Sequence, residues 1–135
     1  MKRILVVEDD GRVCRALKIR LTAAGYDVLA AADGVEGFEV AQAHRPDLAI
    51  LDLCMPNGSG PAMAYRLRES CPEVPFIFVT ASREDRLLQV AAQLHPVGVF
   101  EKPYEFADLL AAIEGTFGNR LRPADTAYSM APRVT

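Results

Sequence analysis

The stretch D-L-A-I-L-D-L-C-M-P-N-G-S-G at residues 47–60 limits what this chain can fold into more than any other. Leu48, Ala49, Ile50 and Leu51 are apolar without alternation, which suits a parallel strand covered by helices on both faces. The run stops at Asp52, and Pro56, Asn57 and Gly58 keep the next segment from becoming helical. An acidic side chain is thereby left at the carboxyl rim of a sheet, where open α/β sheets hold their chemistry. Standing alone, Asp52 would fit a loop or capping role as well, so the other strand ends decide.

The rest of the chain repeats the pattern. Residues 4–7 are apolar and end in Glu8, Asp9 and Asp10. The following helix places Val13, Leu17, Leu21 and Ala24 on one face and stops at Gly25. Residues 26–30 read as a second strand, and Asp33-Gly34 opens a helix to about residue 43 whose inner edge is Val35, Phe38 and Ala41 or Gln42. His44 is expected to be a solvated helix-end residue. Ser59-Gly60-Pro61 has the cap-then-proline form of a helix start, and this third helix runs to about residue 70. Pro72 and Pro75 lead into a fourth strand at 76–79 that ends at Thr80. A helix over 83–94 closes at His95-Pro96, and a fifth strand at 97–100 ends in Glu101-Lys102-Pro103. The last helix, 105–117, carries Phe106, Leu109, Leu110 and Ile113 on one face. Beyond it the pattern dissolves, so the reading is one folded domain over 1–117 and a disordered tail over 118–135.

Five strands alternating with five helices predict an α/β fold, a doubly wound, flavodoxin-like parallel sheet with right-handed crossovers and the strand order 2-1-3-4-5. In that order the first and third strands are neighbours. Glu8 and Asp9 then lie beside Asp52, with Thr80 and Lys102 arriving from the ends of strands four and five.

Composition narrows the function. A net charge of −3 argues against direct nucleic-acid binding, which normally shows a basic excess on one face. No secretory or spanning run is visible, so no membrane insertion and a cytoplasmic location are expected. Cys14, Cys54 and Cys71 form no CxxC pair and are odd in number, which leaves reduced thiols, two of them expected in the core.

Three carboxylates in one crevice repel one another, and at neutral pH they hold a proton or collect a cation. An oxygen-only set suits Mg²⁺. With its charge offset, Asp52 becomes a usable nucleophile toward phosphorus, Lys102 a positive partner for phosphoryl oxygens, and Thr80 a hydroxyl donor from the other side. Each of these residues alone could be a cap or a turn. Four strand ends on one rim, each with the residue type that a magnesium-assisted aspartyl phosphate needs, favour the joint reading.

The motifs I-L-V-V-E-D-D, L-D-L-C-M-P-N-G-S-G, F-V-T-A and F-E-K-P, in order and at matching separations over residues 2–117, resemble the receiver domain of bacterial two-component response regulators, in particular the stand-alone chemotaxis-type receivers. The resemblance implies that Asp52 accepts a phosphoryl group from a histidine kinase or histidine phosphotransfer protein in a Mg²⁺-dependent reaction. It implies a metal site of Glu8, Asp9, Asp52 and the Cys54 backbone carbonyl, with Thr80 and Lys102 as switch hydroxyl and phosphate-pairing lysine. It makes Lys102-Pro103 a candidate cis bond, and it fits Ala81, whose small side chain leaves room for the phosphoryl group. Such a domain is a phosphoacceptor rather than a dedicated enzyme, assisting only its own phosphorylation and dephosphorylation. Read as complete, the chain would act through a downstream protein, by phosphorylation-dependent docking, with dimerisation a further possibility, or by passing the phosphoryl group onward.

Two positions depart from the family pattern. Val99 stands where receivers place an inward-swinging aromatic switch residue, and His95-Pro96 stands where Gly-Ala is common. Strand alternation predicts that Val99 lies toward the fourth and fifth helices and that Phe100 turns to the opposite face. Two rivals fit less well. A haloacid-dehalogenase-type phosphatase needs a second aspartate where Cys54 stands, and a flavodoxin-like cofactor binder would not place Glu8-Asp9-Asp10 at a phosphate loop. A receiver cut from a larger regulator or hybrid kinase is the third alternative.

Overall fold

The computed structural model describes residues 1–55 and 59–118. The strands are β1 (Arg3–Val7), β2 (Asp27–Ala31), β3 (Leu48–Asp52), β4 (Phe76–Thr80) and β5 (Gly98–Glu101). The helices are α1 (Gly11–Ala23), α2 (Gly34–His44), α3 (Ser59–Ser70), α4 (Asp85–Gln93) and α5 (Phe106–Gly118). All strand pairs are parallel and the order is β2-β1-β3-β4-β5, as the sequence predicts. The expected tail lies outside the described residues except for Gly118, which closes α5.

Strand alternation sorts the side chains into two layers. Leu5, Val7, Ala49, Leu51, Phe76, Phe78 and Val99 face the layer that contains α2, α3 and α4. Ile4, Val6, Leu48, Ile50, Ile77, Val79 and Phe100 face α1 and α5. β3 is the central strand of the five, and all five of its residues are buried. Burying each of its Leu and Ile side chains contributes about 2 kcal/mol, so Asp52 ends a firmly held strand.

Local chemistry sets the helix ends. The Asp10 side chain accepts from the Arg12 and Val13 amides at the start of α1, at 2.9 and 3.4 Å, and Gly25 follows the helix at φ +101°. Asp33 accepts from the Glu36 amide at 2.8 Å, while Glu36 accepts from the Ala32 amide at 2.8 Å. His95 adopts φ +56°, the left-handed region that glycine favours and that costs other residues about 1 kcal/mol or more. Arg68 of α3 steadies this exit by donating to the carbonyls of Leu94 and His95.

The structure corrects four packing expectations. Val35 is exposed, because Asp33 and Glu36 fix the start of α2 so that Gly34, Gly37, Phe38 and Ala41 face inward. Val13 is at the surface margin, and Leu17 with Leu21 carries the buried face of α1. Only Cys71 is a buried thiol, with Cys14 half-buried and Cys54 exposed. Val99 packs in the layer of α4 but not of α5, which occupies the other side of the sheet with Phe100. His44 is exposed, as expected.

Candidate functional site

β1 and β3 are adjacent, pairing Val7 with Leu51, so the residues that follow them meet at the carboxyl rim. One carboxylate oxygen from each of Glu8, Asp9 and Asp52 can be chosen so that all lie within 4.8 Å of one another. Glu8 and Asp52 are buried, whereas Asp9 is open to solvent. Asp52 Oδ1 accepts from the Cys54 amide at 2.9 Å and Oδ2 from Lys102 Nζ at 3.3 Å. Glu8 Oε1 accepts from the same ammonium at 2.8 Å, and Oε2 from the Asp10 amide at 3.2 Å.

Burial pushes the Glu8 carboxyl up to about 7, helped by its hydrogen bond and like charge with Asp52, and Lys102 and the Asp10 amide only partly offset this. Burial would lower Lys102, but its bonds and charges with Glu8 and Asp52 outweigh it and hold the ammonium above its ordinary range. The pair is therefore asymmetric. Lys102 stays charged, and Glu8 is the group that gives way, since both burial and a neighbouring carboxylate act against its charge.

The donor set is hard and all-oxygen, with one member open to water, which fits a Mg²⁺ ion better than a thiophilic metal. Cys54 sits on the turn after β3, with its amide directed at Asp52. Thr80 is fully buried at the end of β4 and approaches from the opposite side chain layer. Its hydroxyl accepts from the Ser82 amide at 2.9 Å and lies 3.0 Å from Cys54 Sγ. The Lys102 amide donates to the Thr80 carbonyl at 2.7 Å, fixing β5's end against β4's, and the Lys102–Pro103 bond is cis. Val99 is buried at the wall of a cavity of about 400 Å³ with Leu88 and Pro96, away from the carboxylates.

The structure thus gathers Glu8, Asp9, Asp52, Cys54, Thr80 and Lys102 at one rim and leaves Val99 outside it. Sequence reasoning missed three contributors. A Cβ on Gly60 would meet the Asp52 carbonyl oxygen at 2.6 Å and Leu53 Cα at 2.9 Å, so glycine is what lets α3 start against the turn that holds Asp52. The glycine beside Pro61 was the available signal, and it reads equally well as part of a cap. Ser82 holds the Thr80 hydroxyl through its amide, which no sequence pattern reveals. Arg83 makes a forked ion pair with Glu101, at 2.6 and 2.9 Å, tying the β4–α4 loop to the end of β5.

The profile of the family described as response regulator receiver domain matches residues 4–114. The chain is 35% identical to the response regulator MprA of Mycobacterium bovis over 135 residues, covering 98% of this chain and 57% of that protein. It therefore spans little more than half the length of this relative. Among solved structures, the signal receiver domain of a modulated diguanylate cyclase from Desulfovibrio desulfuricans G20 is 32% identical with a TM-score of 0.79, covering 89% of this chain and 96% of that one. A CheY-like receiver domain protein from Methanospirillum hungatei JF-1 is 26% identical with a TM-score of 0.84, at the same two coverages of 89% and 96%.

Proposed function

Because this chain belongs to the response regulator receiver domain family, we propose that Asp52 is its phosphoacceptor and that it takes a phosphoryl group from a histidine kinase or histidine phosphotransfer protein. One observation carries the reading: a buried carboxylate at the sheet's switch point, held between an ammonium and two further carboxylates.

An Asp52 carboxylate oxygen forms the new bond to phosphorus as the P–N bond of the donor phosphohistidine breaks, and the imidazole leaves with the electron pair. The Cys54 amide and Lys102 orient the carboxylate before the reaction. Lys102 can move its charge onto the phosphoryl oxygens, and the Thr80 hydroxyl can donate to them from the other side. Glu8, Asp9, Asp52 and the Cys54 carbonyl would hold Mg²⁺, which when bound offsets the crowded negative charge. No other catalytic group is needed, so the domain is a phosphoacceptor and not a dedicated enzyme. Signalling follows through a downstream protein that recognises the phosphorylated state or receives the phosphoryl group. Among described residues Arg12, Arg15 and Lys18 of α1 are exposed and make no ion pair, which suits an acidic partner surface beside the rim.

The test is incubation with a small phosphodonor and Mg²⁺. One phosphoryl group in a hydroxylamine-sensitive acyl-phosphate linkage is expected, and label persisting in Asp52→Asn would reject the assignment. The greater length of the matched relative favours a second reading, in which this receiver is one module of a larger regulator. The mass of the native protein separates the two.

A further inference from the structure

Cys54 touches both groups that a phosphoryl transfer must bring together. Its amide donates to Asp52 Oδ1 at 2.9 Å, and its Sγ lies 3.0 Å from Thr80 Oγ1. The turn that carries it is pinned on one side by the Leu53 amide, which donates to the Val79 carbonyl at 2.8 Å, and Leu53 itself is buried. The backbone leading into Cys54 is therefore held beside β4, within reach of Thr80.

The Thr80 hydroxyl is fully engaged. It accepts from the Ser82 amide at 2.9 Å, and its remaining partners are Cys54 Sγ and, at 3.4 Å, the Ser82 carbonyl. Because Thr80 is completely buried, no bulk water replaces a partner that it gives up. Where the hydroxyl donates to the thiol, it must give up that bond to donate to a phosphoryl oxygen on Asp52. A thiol is a weak donor and a weak acceptor, whereas a phosphoryl oxygen is charged, so the exchange runs toward the phosphorylated state but against a definite resistance.

We propose that Cys54 is a positioning residue whose thiol retains the Thr80 hydroxyl in the unphosphorylated domain and so sets how strongly a phosphoryl group on Asp52 is held. This rests on Asp52 as the phosphoacceptor and Thr80 as the hydroxyl that answers it, and it adds the group that Thr80 must leave.

The probe is beryllofluoride with Mg²⁺, its affinity for the full chain read by ¹⁹F NMR, with thermal unfolding of each variant measured alongside. Cys54→Ala removes the retaining contact without touching the Asp52–amide bond, so beryllofluoride should bind about three- to fivefold more tightly, the worth of one weak hydrogen bond. Cys54→Ser, which restores a hydrogen-bonding group, should return the affinity toward that of the wild type. In a Thr80→Ala background Cys54→Ala should change nothing, since the partner is gone. An unchanged affinity in Cys54→Ala, or a gain that persists without the Thr80 hydroxyl, overturns the proposal while leaving Asp52 in its role. Failure of the wild-type chain to bind beryllofluoride at all overturns both.

Discussion

The Lys102 ammonium sits closer to Glu8 Oε1, at 2.8 Å, than to Asp52 Oδ2, at 3.3 Å. The residue proposed to pair with phosphate is thus held by a carboxylate proposed to hold the metal. Binding a cation at Glu8 would weaken that hold, so occupancy of the acidic site and availability of Lys102 are linked through one side chain.

The same carboxylate makes stability sensitive to pH when Mg²⁺ is withheld. Glu8 rises from 4.5 to about 7 on folding, chiefly through burial, so between these values the folded state binds more protons than the unfolded chain. The group's stabilising contribution is full below the lower value and is lost as pH rises through the upper one, a change of roughly 3 kcal/mol. In Mg²⁺-free buffer, Glu8→Gln should abolish this loss. Urea unfolding of both proteins across the window checks it, and parallel stability profiles would show that Glu8 does not titrate there.

Asp9 offers an exposed carboxylate to the cluster and has no described ion-pair partner. Asp9→Asn should therefore lower Mg²⁺ affinity about tenfold or more while leaving the metal-free fold as stable or slightly more so, because a like charge is removed. Calorimetric Mg²⁺ titration is the measurement, and an unchanged affinity would remove Asp9 from the site.

Gly60 is a test of how tightly α3 is docked under Asp52. A methyl group there meets backbone, which cannot swing aside as a side chain can. Gly60→Ala should cost about 1–3 kcal/mol and displace the turn at 52–54, slowing labelling of Asp52 by a small phosphodonor. Gly37→Ala is the comparison: its contacts are the Val7 and Met63 side chains, at 2.8 and 2.9 Å, so it should destabilise the domain while labelling of the folded fraction stays normal. Equal labelling defects in both variants would count against a specific role for Gly60.

Val99 and Thr80 should separate packing from switching. Val99 is buried against the α4 layer, and Val99→Ala should cost about 2 kcal/mol of stability with little change in phosphorylation-dependent binding. Thr80→Ala removes the hydroxyl proposed to donate to the phosphoryl group and should weaken that binding about tenfold or more. The partner captured on beryllofluoride-loaded protein serves as the probe. A larger binding loss in Val99→Ala would place the switch at β5 instead of the β4–α4 loop.

The strand order and rim residues were legible in the sequence because they depend on patterns a few residues long. An unalternated run such as 48–51 needs cover on both faces, short βα units leave few topologies, and the residue that stops each run is placed at the sheet's edge by the run itself. Those patterns alone bring Glu8, Asp9, Asp52, Thr80 and Lys102 to one rim. They fail where rotation about a helix axis or distance across the fold decides. Val35 looked inward by spacing, but the Asp33–Glu36 cap set the phase of α2 and turned it to solvent. Alternation placed Val99 and Phe100 on opposite faces, yet which helix covers each face is fixed by the handedness of the crossovers, which sent α5 to the side of Phe100. The thiol of Cys54 against the Thr80 hydroxyl, Gly60 against the Asp52 carbonyl, and Lys102 nearer to Glu8 than to Asp52 are contacts between segments far apart in the chain or across a turn. Local pattern carries no information on tenths of an ångström between such groups, and only the packed tertiary structure assigns them.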